Sequence, residues 1–74
     1  MVLSQTIEIG QVYEVKGYGY PMLVERMDRL VPVIVKSVTL RPATQVDGVW
    51  RTYGMFELQI PGSRVGEQLV KKIG

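Results

Sequence analysis

An all-β fold is predicted for this chain: a small, strongly bent β-barrel of four to five strands with a short C-terminal helix, formed by residues 1–74 as one domain. Three observations predict it. β-branched and aromatic residues recur in runs of about five to ten, punctuated by Gly, Pro and Asp. Asp47-Gly48 stands between two valines, the pattern of a two-residue hairpin, because both central residues must take positive φ. Seventy-four residues, 46% of them hydrophobic, suffice for one small core and no second domain.

The first run, "TIEIGQVYEV", places Ile7, Ile9, Tyr13 and Val15 on one parity and Glu8 and Glu14 on the other, as in a half-buried strand bent at Gly10. "KGYGYP", residues 16–21, is a glycine-rich corner. "PMLVERM", residues 21–27, is a second strand, and the charged "ERMDR" reads as the turn that ends it. "LVPVIVKSVTL", residues 30–40, is the most strand-like stretch, with Pro32 placing its start at a sheet edge, where no amide donor is needed.

Pairing Val46 with Val49 fixes a hairpin register. Carried inward, it sets Val35 opposite Ile60, Ser37 opposite Leu58 and Thr39 opposite Phe56 on a core face. Lys36, Val38 and Leu40 then share the opposite face with Arg51, Tyr53, Met55 and Glu57. Pro42 is a site where the outer half of the hairpin shifts. At the C-terminus, Pro61-Gly62 is a turn, Ser63 an N-cap, and Val65, Leu69 and Ile73 recur at helical spacing; a final strand is the alternative, since Gly66 weakens the helix.

So many short strands in so short a chain suit a barrel of the SH3-like or OB-like kind, because closure leaves no unpaired sheet edges. The two kinds share strand number, and periodicity does not separate them.

Cysteine and histidine are both absent, which removes thiolate chemistry, Cys- or His-based metal sites and the commonest general base. The seven carboxylates are scattered, and Asp47 belongs to its turn. No nucleophile motif such as G-x-S-x-G occurs. The expectation is therefore a non-enzyme with no metal or cofactor. The N-terminus lacks a signal-peptide pattern and no run of about 18 apolar residues occurs, so the expected setting is cytoplasmic and away from membranes. The formal charge of +2 is mild and fits a polyanion-facing surface without requiring one.

Lys16, Gly17, Tyr18 and Gly19 match the start of the aromatic pattern K/R-G-F/Y-G/A-F-V-x-F/Y, with Tyr20 in place of Phe. Over these five residues the chain resembles RNA-recognition and cold-shock domains. Pro21 and Leu23 depart from the pattern, and no second aromatic motif accompanies it. The resemblance implies base stacking on Tyr18 and Tyr20, with Lys16 on a phosphate. The competing reading is a corner in which Gly17 and Gly19 supply positive φ and the two tyrosines cover the barrel end. A phosphate-binding loop is excluded, because the required glycine-lysine spacing is missing and a strand follows, not a helix.

Arg26, Lys36, Arg41 and Arg51 extend this chemistry as a basic track beside Tyr53, or are ordinary solvated charges. Two functions follow. The first is a nucleic-acid-binding module, stacking RNA or DNA bases on Tyr18, Tyr20 and Tyr53 with Lys16, Arg26, Lys36 and Arg51 on phosphates. The second is a protein-interaction or homo-oligomerising accessory subunit acting through Val38, Leu40, Trp50, Tyr53 and Met55.

Overall fold

The computed structural model describes residues 7–31 and 34–74. Its elements run β1 (Val12–Val15), β2 (Pro21–Val31), β3 (Ile34–Val46), β4 (Val49–Thr52), β5 (Leu58–Pro61), a 3-10 turn (Gly62–Arg64), one turn of helix α1 (Val65–Gln68) and β6 (Leu69–Lys72). All pairings are antiparallel, in the order β4-β3-β2-β1-β6, with β5 also paired to β3. β5 and β6 do not pair with each other, so the sheet is not closed. The short helical segment spans the gap between them.

β3 organises the molecule. Straight, its 13 residues would reach about 40 Å, more than the 35 Å longest dimension, so it must bend. Register shifts against β2 at Val24/Arg26, Asp28/Arg29 and Arg29/Val31 supply the bending. Its far edge is shared by two successive partners, β5 on residues 37–40 and β4 on residues 43–46. Pro42 sits at the changeover. Its missing amide costs no ladder bond there, and its carbonyl accepts from the Tyr53 amide at 3.1 Å.

The Asp47-Gly48 turn has φ of 54° and 80°, as a type I′ turn requires, and Val46 pairs with Val49. That register holds only as far as Ala43 opposite Thr52. Extended inward it would set Leu40 against Met55 and Val38 against Glu57; instead they face Leu58 and Ile60, because residues 53–57 leave the sheet as a loop. The offset is odd, so Ile60 and Leu58 lie opposite Val38 and Leu40 instead of Val35 and Ser37, although Val35, Ser37 and Thr39 are buried as expected. Val38 and Leu40 are completely buried rather than part of a mixed exposed face, and Phe56, expected in the core, is 45% exposed.

Further expectations are corrected. "ERMDR" is not a turn: β2 continues through it to Val31, held by its ladder with β3, and the chain reverses between the paired Val31 and Ile34. Pro32 lies outside the described residues. At the C-terminus both alternatives occur in succession, one helical turn and then a strand. Ser63 caps nothing, since Pro61 precedes the 3-10 turn and makes no side-chain cap, and Ile73 is exposed because from Leu69 onward the chain pairs with β1. Gly10 does bend the chain, but as a turn closed by the Gln11 amide on the Glu8 carbonyl (3.2 Å), so β1 starts only at Val12.

The core gathers Ile7, Tyr13, Val15, Met22, Val24, Val35, Val38, Leu40, Ile60, Val65 and Leu69, with Tyr18, Met27 and Leu58 packed at its margin. Gly62 lets the 3-10 turn press against β3: a β-carbon there would overlap the Val35 carbonyl.

Candidate functional site

The Val15 carbonyl accepts from the Tyr18 amide at 3.0 Å, closing a turn whose third residue, Gly17, has φ of 86°. That is the region a type II turn demands. Gly19 does not take positive φ, so only one of the two glycines is needed for backbone reasons. The turn is tied down from the side, with the Lys16 amide donating to the Gln68 carbonyl at 2.8 Å. "KGYGYP" is therefore first a corner between β1 and β2.

The corner does not stand alone. The Tyr18 ring lies 6.0 Å from Tyr20, edge-on at 73°, and 6.0 Å from Phe56, tilted by 34°. Tyr18, half-buried, thus joins the first turn to loop 53–57. That loop is itself anchored: Arg41 donates through Nη2 to the Gly54 carbonyl and through Nη1 to Glu25 (3.4 Å), and Glu57 lies 3.8 Å from Arg26. Between these anchors Tyr53 is 47% and Met55 94% exposed, and beside them Tyr20 is 38% exposed. Two loops from distant parts of the sequence thus meet through Tyr18 and Phe56, and the exposed Tyr53 and Met55 belong to the second of them.

Beside this contact lies a groove of about 280 Å³ lined by Glu14, Tyr18, Gly19, Tyr20, Pro21 and Ile73. Glu14 faces outward because its neighbours Tyr13 and Val15 are in the core. One wall of the groove is therefore anionic.

The basic residues are not brought together. Arg26 and Arg41 each have a carboxylate partner. Lys36 is exposed on the inner half of β3, whereas Arg51 is opposite Thr44 on the outer half, up to about 26 Å away along that strand. Lys16 is exposed on the turn. Trp50 is not free at the hairpin tip: its indole packs on Gly74, where a β-carbon would strike Nε1. Gly74 and Ile73 in turn bond to the Val12 backbone.

Sequence reasoning missed Phe56, Glu14, Pro21 and Ile73 as members of this surface. A signal for Phe56 was present: Gly54 between Tyr53 and Met55 interrupts the alternation of a strand, as Gly19 does between Tyr18 and Tyr20. Among the described residues no cluster of three or more His, Cys, Asp or Glu is placed to hold a metal, and no helix is long and apolar enough to cross a membrane. Tyr13, under the sheet, donates its hydroxyl to Gln11 Oε1 at 2.8 Å; burial, aided by the nearby Glu8 charge, pushes its pKa above the ordinary 10.0. Compared with protein-family models, curated proteins and solved structures, the chain matches none.

Proposed function

We propose that this protein is a non-enzymatic binding module that engages a protein partner, or a second copy of itself, through the surface made by Tyr18, Tyr20, Tyr53, Met55 and Phe56. The observation that carries the reading is the aromatic contact uniting the two loops, with Met55 almost fully solvated beside it. Aromatic side chains and methionine are enriched at interface cores while charges are depleted there, and the neighbouring charges Arg26–Glu57 and Arg41–Glu25 already satisfy each other at its rim. This replaces the face once centred on Val38 and Leu40; Tyr53 and Met55 carry over from it. The finer architecture is read as an SH3-like open barrel, supported by the bend of β3 and by the last strand pairing with the first, and the setting as cytoplasmic.

Light scattering across a wide concentration range, with hydrogen exchange on any complex, tests the reading. The expected result is mass growth or a captured protein that shields the amides of loop 53–57, abolished by the exposed-site double variant Tyr53→Ser/Met55→Ser. Equal association by that variant overturns it.

A nucleic-acid reading keeps one specific support: the exposed rings of Tyr20 and Tyr53 in a chain of pI about 9.2, with Lys16, Arg26, Lys36 and Arg51 as the phosphate contacts. Glu14 beside Tyr20 works against it by repelling phosphate. A low-salt mobility shift that weakens steeply with added salt would support it, and no shift with single-stranded RNA or DNA removes it.

A further inference from the structure

The geometry points to the groove between residues 18–21 and Ile73 as a receptor for an arginine side chain presented by the protein partner. The inference rests on the protein-partner reading and adds the chemistry by which that partner is recognised.

Three features of the groove converge on a planar cation. Glu14 supplies a carboxylate that makes no ion pair among the described residues. Its cross-strand neighbour on β6 is Lys71, exposed and beyond ion-pair distance in this structure. The β1–β6 register shift falls between Glu14 and Val15, next to the groove, where such an irregularity increases local twist and re-aims side chains.

The second feature is the tyrosine pair. Tyr18 and Tyr20 meet edge to face and both line the groove, and Tyr20 is partly exposed. The face of an aromatic ring is its negative region and attracts a cation. The third is the apolar floor of Pro21 and Ile73, which suits the methylene stem of a long basic side chain.

Arginine fits this set better than lysine. Its flat guanidinium stacks on a ring while two N–H groups meet a carboxylate, whereas a compact, strongly hydrated ammonium does only one of these well. A phosphate or acidic peptide is disfavoured by Glu14. Lys71, opposite Glu14, Lys72 beside it and Lys16 on the adjoining turn are the positive charges near this end of β1; all three are exposed, so their repulsion of a cation there is screened by solvent.

The probes are blocked Gly-Arg-Gly, Gly-Lys-Gly and Gly-citrulline-Gly tripeptides, titrated into the isotope-labelled full chain and followed by amide and tyrosine-ring NMR shifts. The arginine peptide is expected to give saturable shifts at Glu14, Gly17, Tyr18, Gly19, Tyr20 and Ile73. Citrulline, which keeps the shape and loses the charge, should bind about tenfold more weakly, with lysine between the two. Glu14→Gln should lower arginine affinity by about the same factor, and Tyr20→Leu should lower it separately, both with unchanged shifts elsewhere in the sheet. Equal binding of arginine and citrulline, shifts that map elsewhere, or no saturable shift overturns the assignment. If arginine fails while Tyr53→Ser/Met55→Ser still abolishes partner binding, the groove assignment alone falls. If both fail, the protein-partner reading falls with it.

Discussion

The ring of Tyr18 rests 6.0 Å from the ring of Phe56, and through this one contact the turn after β1 and the loop before β5 behave as a single surface. Tyr18 also packs against the core margin, so it transmits the rigidity of the sheet to a loop whose other side chains are exposed. Removing either ring should loosen loop 53–57 without dismantling the sheet. In a double-mutant cycle, Tyr18→Ala and Phe56→Ala are expected to couple by about 0.5–1.5 kcal/mol in chemical denaturation. Additive effects would show that the rings do not interact.

Gly62 and Gly66 lie four residues apart and should respond oppositely to the same change. At Gly62 a methyl group overlaps the Val35 carbonyl, so Gly62→Ala is expected to destabilise by about 1–3 kcal/mol. At Gly66 nothing stands within 4 Å, and Gly66→Ala should stabilise the helical turn by up to about 1 kcal/mol. Thermal melts of the two variants decide the matter, since a shared sign would contradict the close approach of the 3-10 turn to β3.

Tyr13 gives a pH dependence of definite sign. Its folded pKa is raised above the ordinary 10.0, so the folded state holds the phenol proton more firmly than the unfolded chain does. The contribution is fully present below about pH 10 and is lost as the pH rises through the folded pKa. Urea denaturation between about pH 9 and pH 11 should show stability falling, with a shallower fall in Tyr13→Phe. An identical slope in the variant would assign the alkaline loss to other groups.

Arg41 acts as a tether for the aromatic loop more than as a source of stability. Its ion pair with Glu25 is partly solvent-exposed, and such pairs contribute about 0–1 kcal/mol. Its bond to the Gly54 carbonyl is what spans the opening of the loop. Arg41→Met should therefore change global stability by less than about 1 kcal/mol, yet speed amide exchange at Gly54, Met55 and Phe56. Unchanged exchange there would deny Arg41 this role.

The β character of the chain, the Asp47-Gly48 hairpin and the corner at Gly17 were legible because each is enforced locally, by alternation or by positive φ. The faces of Val38, Leu40 and Phe56 were not. They depend on how many residues leave the ladder between β4 and β5, a quantity that side-chain periodicity does not encode once a strand changes partner. β2 was cut short at "ERMDR" for a related reason: charges on a strand that runs past the core look like a turn. The candidate surface was half visible, since Tyr18, Tyr20, Tyr53 and Met55 stand out as residue types. Its completion by Phe56 and Glu14 required the fold to bring remote segments together, as did the pairing of Arg26 and Arg41 with carboxylates on neighbouring segments.

The changeover of partners along β3 has a corollary for the length of the loop it leaves behind. Since β4 is locked by its own hairpin turn and β5 by its own pairing with residues 37–40, the segment between them carries no burden of alignment. Residues can be added, removed or exchanged between Thr52 and Leu58 without threading either strand out of step. The chain thereby sets a fixed-register frame next to a stretch whose length strand pairing does not dictate.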